Sequence, residues 1–313
     1  GSDWTEIFVV DAATAKPLPD HIEWAKFTDA AWYKDGFFYS AYDRPVEGKE
    51  FSNANENHRI YYHKMGTPQS ADTIAFEDPK HPLHFHTAAV PENERCLLVF
   101  VGGQGFGEGV MVKDLTRPDA KWVTVEPSQN YEMGFVDMIG DDLYFTTSAD
   151  APRKRLVKIP MANPSRDNWQ TVIPEAEGVL VGVNRSGNDL IVTYEKDASM
   201  RPAVYSLAGE KKTDIQLPTY GDVGFSTSDK TDEVFYTFTS FLYPAAVYSY
   251  DKATGKSTCL FSPDIKGFNP DDYVTEQVFY PSADGTKIPM FLTYRKDLKR
   301  DGSNPVYLYG YGG

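Results

Sequence analysis

Three histidines, His81, His84 and His86, fall within six residues of one another in the stretch HPLHFH. In an extended segment alternation puts His84 and His86 on one strand face, where two imidazoles could hold a cation. No carboxylate or cysteine cluster accompanies them at ligand spacing, so the sequence predicts a polar wall or simple edge residues and no metal site. A second candidate is the glycine-rich run GGQGFGEG at 102–109. It lacks the GxGxxG spacing and leads into the strand-like VMVKDL, so no helix N-terminus is available to cradle a phosphate. The two cysteines, Cys96 and Cys259, match no CxxC pattern. Apolar residues follow each of them, CLLVF and CLF, which predicts buried free thiols in a reducing compartment. Nowhere in the 313 residues is there the GxSxG elbow that carries a hydrolase serine.

The elements around these residues repeat. EIFVVD, RIYYHK, GVMVKD, RLVKIP, AVYSLA and AVYSYD resemble one another, and their second residues, Ile7, Ile60, Val110, Leu156, Val204 and Val247, are spaced by 53, 50, 46, 48 and 43. Between copies lies an alternating apolar run, a polar turn and another run, as in AAWYKDGFFYSAY and MGFVDMIGDDLYFTT. These read as hairpins turning at Asp35-Gly36, Glu92-Asn93, Gly140-Asp141, Ser186-Gly187 and Lys230-Thr231. Two hairpins in each repeat of about 48 residues give the four strands of a β-propeller blade. The fold class is therefore all-β, with five full blades and the last strand of a preceding one expected in residues 6 to about 270. End blades would expose open strand edges, so the segment is expected to be part of something larger. After Pro270 the period fails, and a longer hairpin turning at Asp284-Gly285 precedes the strand-like VYLYGYGG. The expected domains are a propeller over 1–274 and the start of a second domain over 275–313.

Charge narrows the function. With 31 basic and 45 acidic residues the net charge is −14, which repels a phosphate backbone and argues against nucleic-acid binding. No apolar run reaches 18 residues, so no membrane-crossing segment is expected, and the first residues do not have the order of a signal peptide. A cytoplasmic location is expected, with the periplasm as the alternative.

VFYPSADGTKIPMFLTYRK, PVYLYGYGG, EVFYTFTSFLYPAAVYSYD and KFTDAAW with FFYSAY closely resemble the prolyl oligopeptidase family, also called prolyl endopeptidase, and a bacterial member is expected. The resemblance covers essentially the whole chain. It implies a seven-bladed propeller, about five to six blades of it present here, capping an α/β-hydrolase domain whose return begins in residues 275–313. The nucleophile, acid and base would lie beyond these residues, so the segment alone is expected to be inactive. Its implied partners are short proline-containing peptides and the remaining hydrolase segments of the same protein; no cofactor is implied.

The resemblance also implies roles for particular residues. Tyr311 in YGYGG would be the oxyanion-hole donor, a role suited to a phenol whose usual pKa near 10 keeps its proton at neutral pH. Phe27 would line the subsite for the residue two before the scissile proline, and Phe85 would contribute to the same subsite. Gly105 falls near a cysteine of the family's loop, which removes the basis for thiol sensitivity. The function expected is that of a serine endopeptidase cutting after proline, with the propeller gating access. The alternative is a stand-alone propeller that binds peptides or proteins, and the DGTKIPMF and YGYGG blocks argue against it.

Overall fold

The computed structural model describes residues 3–50, 52, 54–103 and 105–310, which divide into two compact units, Gly1–Ala176 and Glu177–Gly313. The first unit opens with a hairpin of β1 (Thr5–Val10) and β2 (Pro17–Ala25). It joins β3 (Ala31–Tyr33), β4 (Gly36–Ala41), β5 (Arg59–Lys64) and β6 (Thr73–Phe76) in one antiparallel sheet through a single pair, Ala25 with Ala41. Two four-stranded sheets follow: β7 (Phe85–Ala89) to β10 (Val123–Glu126), with β8 (Cys96–Gly102) and β9 (Gly109–Asp114) between, and β11 (Met133–Ile139), β12 (Asp142–Thr147), β13 (Arg155–Pro160) and β14 (Gln170–Ile173).

The second unit repeats the plan twice. Its sheets are β15 (Val179–Ser186), β16 (Asp189–Lys196), β17 (Ser199–Ser206) and β18 (Lys211–Asp214), then β19 (Asp222–Thr227), β20 (Val234–Thr239), β21 (Ala246–Asp251) and β22 (Lys256–Phe261). A separate two-stranded sheet of β23 (Tyr273–Pro281) and β24 (Lys287–Arg295) ends it, in unbroken register around the Asp284-Gly285 turn. Helix is confined, among the described residues, to short 3₁₀ turns. Five consecutive four-stranded meanders are the blades of a β-propeller, the architecture predicted from the repeat.

Each repeated segment from RIYYHK onward is the third strand of its blade, as β5, β9, β13, β17 and β21. EIFVVD is β1, and it pairs with β2 as a third strand pairs with a fourth, so two strands precede the first full blade where one was expected. Turn positions are off by one in three hairpins, one of which turns at Asp229-Lys230 and not at Lys230-Thr231. Tyr33 pairs with Gly36, so Lys34 and Asp35 make the turn, with Lys34 at φ 50°. Gly36 is instead the first residue of β4, where a Cβ would lie 2.1 Å from the His63 carbonyl oxygen. Ser186 pairs with Asp189, which centres that turn on Gly187 and Asn188. The Gly140-Asp141 turn is as expected, between paired Ile139 and Asp142. Over 306–310 the expected strand is absent: Val306, Tyr307 and Leu308 are more than four-fifths exposed, and strand-prone side chains need a pairing neighbour to form a ladder.

Strand β8 shows how blades cohere. Leu97 and Val99 join Phe38, Ile60 and Phe76 of the preceding sheet in one core cluster. Cys96 and Leu98, on the opposite face, join Met138, Leu143, Phe145 and Val157 of the following sheet. Alternation along a strand thus places consecutive apolar residues in two different cores. In the second unit Ile191 and Val204 meet Val234, Tyr236 and Phe238 in the same way.

A buried polar chain ties the first hairpin to its blade. His63 on β5 is fully buried, its Nδ1 lying 2.7 Å from Asp72 Oδ1 and its Nε2 3.1 Å from Asp20 Oδ1 on β2. The Tyr39 hydroxyl on β4 donates to Asp72 at 2.8 Å, and the Gly66 N–H donates to Asp20. Burial pushes the Asp20 carboxyl up, but the hydrogen bonds from Gly66 and His63 outweigh it and hold Asp20 below its usual value.

The thiols differ from expectation in one respect. Cys96 is buried, whereas Cys259 is exposed on β22, the outer edge strand of its sheet, whose six residues all face solvent. Burial pushes the Cys96 thiol up to about 12, so it carries almost no thiolate at neutral pH. A native-state thiol titration is expected to give one reactive equivalent, with the second released only by denaturant; two equivalents in the native protein would contradict this packing. Replacing His63 by Leu leaves two buried carboxylates without their shared partner and is expected to cost about 3–5 kcal/mol in urea unfolding.

Candidate functional site

Phe27 and Phe85, far apart in sequence, meet in the first unit with ring centroids 6.0 Å apart and planes inclined at 51°. Phe27 follows the end of β2 and is 51% exposed; Phe85 begins β7 and is 37% exposed. Together they present an apolar ledge to solvent. Phe27 sits at φ 51°, in the left-handed region that costs a non-glycine residue about 1 kcal/mol or more. Its neighbours hold it there. The buried Lys26 places its ammonium 5.2 Å from the Phe27 ring and 5.1 Å from the Trp4 ring, with the Asp3 carboxylate 3.6 Å away. The Tyr42 and His58 rings lie 6.5 Å from Phe27.

Two histidines form the floor. His58 Nδ1 accepts the His86 backbone N–H at 2.8 Å, so its proton is on Nε2, which donates to the Lys26 carbonyl at 2.9 Å. His86 Nδ1 lies 2.8 Å from the His58 carbonyl and donates to it. These three bonds connect the residue before Phe27, the strand into β5 and the residue after Phe85. Burial holds His58 at about 4 and lowers His86 as well, so both are neutral at pH 7.

Glycines set the position of Phe85. Its ring lies against Gly102 on the paired strand, where a Cβ would stand 2.4 Å from the ring's Cζ. Beyond it, Gly103 (φ 123°) approaches the backbone of Leu83 and His84. The described residues of the glycine-rich run between Gly102, which ends β8, and Gly109, which begins β9, form a blade loop, as predicted. Gly107 and Glu108 donate to the carbonyls of Gln129 and Tyr131, and this pinned loop presents Phe106 at 86% exposure.

The histidine trio is split. His86 belongs to the ledge floor, while His84 precedes β7 and lies beside Asp78 and His81. An extended strand would offer these histidines no carboxylate; the chain instead turns between β6 and β7 and brings Asp78 back to His81 and His84. Of the other expected site residues, Tyr311 lies outside the described residues.

His58 makes a pH dependence. Its folded pKa of about 4 lies below the unfolded value of about 6.5, so between those values the unfolded chain binds more protons and stability falls with falling pH. The contribution, up to about 3 kcal/mol, is complete above pH 6.5 and gone below pH 4. Urea midpoints measured from pH 7 to 4 are expected to fall, and to fall less steeply in His58→Gln; parallel profiles for the two proteins would rule this out.

Comparison with known proteins bears on the fold and the family. The family model for the prolyl oligopeptidase N-terminal β-propeller domain matches residues 1–263. The chain is 39% identical over 315 residues to the prolyl endopeptidase of Elizabethkingia meningoseptica, covering 100% of this chain and 44% of that one. It is 31% identical over 339 residues to prolyl oligopeptidase ophP of Omphalotus olearius, covering 100% of this chain and 45% of the relative. Among solved structures, prolyl oligopeptidase B from Galerina marginata, bound to a 35mer hydrolysis and macrocyclization substrate, superposes with a TM-score of 0.88 at 26% identity. That match covers 100% of this chain and 46% of the other. The chain thus spans less than half the length of these relatives. From blade architecture and family match together, the chain belongs to the prolyl oligopeptidase family as its N-terminal β-propeller domain.

Proposed function

We propose that this chain is the propeller portion of a serine endopeptidase that hydrolyses short peptides on the C-terminal side of proline. The observation that carries the reading is the Phe27–Phe85 ledge: two half-exposed aromatics, fixed from below by neutral histidines, on a propeller of this family. Apolar aromatic surface held in place is what a residue upstream of a scissile proline can bury against. The binding-module alternative has no observation in its favour. In the proposed reading residues 1–274 form the propeller and 275–313 open the hydrolase domain; the separate β23–β24 sheet, unlike the four-stranded blades, favours a boundary just ahead of it, before Tyr273.

The chemistry would be acyl transfer through a serine supplied outside these residues, with histidine as base and the Tyr311 phenol donating to the developing oxyanion. The propeller's part is exclusion, admitting unfolded peptides and keeping folded proteins from a reactive serine. A cytoplasmic setting fits the reduced, unpaired cysteines; among the described residues no helix is long and apolar enough to cross a membrane.

The test is hydrolysis of blocked peptides by the full-length protein. Cleavage after proline is expected there and none with the 313-residue chain. Burying the exposed half of Phe27, on the order of 100 Å², is worth about 2 kcal/mol. In the full-length protein Phe27→Ala should therefore lower kcat/KM ten- to thirtyfold, chiefly through KM, for peptides with a bulky apolar residue two before proline. An equal loss for peptides with glycine at that position would remove the ledge from the substrate's path.

A further inference from the structure

Between β6 and β7 the chain runs DPKHPLH, and two successive backbone turns fold it back on itself: the His81 N–H donates to the Asp78 carbonyl at 3.1 Å, and the His84 N–H to the His81 carbonyl at 3.0 Å. Turns closed every three residues bring side chains three apart onto one side. Asp78, His81 and His84 therefore converge. His81 Nδ1 lies 2.8 Å from Asp78 Oδ2, His84 Nδ1 lies 3.9 Å from the same oxygen, and the two imidazoles stack with centroids 4.7 Å apart. One ligand atom from each of the three falls within 4.8 Å of the others.

His84 supplies an independent observation. It is only 7% exposed, and its Nδ1 makes no hydrogen bond. An unpartnered nitrogen buried this far costs about 1–3 kcal/mol unless something fills it. Nδ1 faces the Asp78 carboxylate across a gap too wide for a hydrogen bond. Two ligands of a tetrahedral ion at zinc distances stand about 3.4 Å apart, between the two separations observed here.

We propose that Asp78, His81 and His84 form a binding site for a divalent transition metal of the zinc type. Two imidazoles and one carboxylate are borderline donors that favour zinc over calcium or magnesium. His84 Nε2 lies 3.3 Å from Gln129 Nε2, where the amide N–H would donate to the ring; turning that amide puts its oxygen there instead, so that Nε2–H donates to it and Nδ1 is left free for the metal. His81 is exposed, which leaves the fourth position open to water or an incoming group. The turn is anchored already, since the Asn57 N–H donates to the Pro82 carbonyl at 2.7 Å. His84 is followed directly by Phe85, so metal in this site would fix the chain where it enters the aromatic ledge. The site stands independently of the peptidase reading.

The experiment is competition of the purified chain against a chromophoric zinc chelator, with cobalt as spectroscopic probe. One zinc per chain is expected, with at least a tenfold loss of affinity in His81→Ala and in Asp78→Asn. His81 is exposed, so its replacement leaves the fold intact, which circular dichroism checks. Cobalt should give the intense visible bands of a four-coordinate N/O site, absent in His81→Ala. His21→Gln, which removes the surface His21–Glu6 pair, should bind as the parent does. Absence of stoichiometric zinc, affinity unchanged in His81→Ala, or loss in His21→Gln instead would each overturn the proposal.

Discussion

No blade can bury both of its faces by itself. On β8 Leu97 and Val99 pack toward one neighbouring sheet, and Cys96 and Leu98 toward the other, so the strand is covered only when both neighbours are in place. Each such pair of contacts removes side chains from water at roughly 1.5–3 kcal/mol apiece, and none of it is available to an isolated four-stranded meander. The inner strands accordingly read as near-continuous apolar runs, while the outer strands carry the polar residues. Strand β22 is the limit of that trend: its six residues are all exposed, and its cysteine goes with them.

This layering also decides where polar groups can be buried. The hairpin of β1 and β2 is joined to the first blade by one backbone pair and by a small apolar cluster around Ile22, Phe37 and Tyr39. The Asp20, His63 and Asp72 chain adds directional bonds at the same junction. A hydrophobic cluster tolerates sliding, whereas directional hydrogen bonds in line do not. The register of this hairpin against the blade is thus set by polar atoms, and its stability by apolar ones.

The period near 48 was legible because third strands bury the repeat position in the first four full blades, at Ile60, Val110, Leu156 and Val204, and half-bury it at Val247 in the fifth, so the pattern is kept. Turns were less legible. Gly36 looked like a turn residue but is a glycine because His63 passes close over it, a constraint that belongs to the next strand and has no local signature. Phe27 and Phe85 could be named only by resemblance; nothing in their spacing says they meet, since the contact depends on β7 starting beside the end of β2. The cluster of Asp78, His81 and His84 had a signal, the spacing D-x-x-H-x-x-H, which was hidden by reading His84 and His86 as strand neighbours. The prolines at 79 and 82 are the clue that this segment turns.

The ledge gains from being built on strain. Phe27 is held in a left-handed conformation, and the bonds that hold it also fix Phe85: His58 grips the Lys26 carbonyl on one side and the His86 N–H on the other. Both aromatics are therefore ordered before any ligand arrives. A side chain that is free must lose about 0.5–1.5 kcal/mol of rotamer freedom on binding, and this pair has little left to lose. The cost has been moved into folding, where the two-faced cores absorb it. Because His58 accepts the His86 N–H only as a neutral ring, acid that protonates it breaks the bond that ties the two aromatics together.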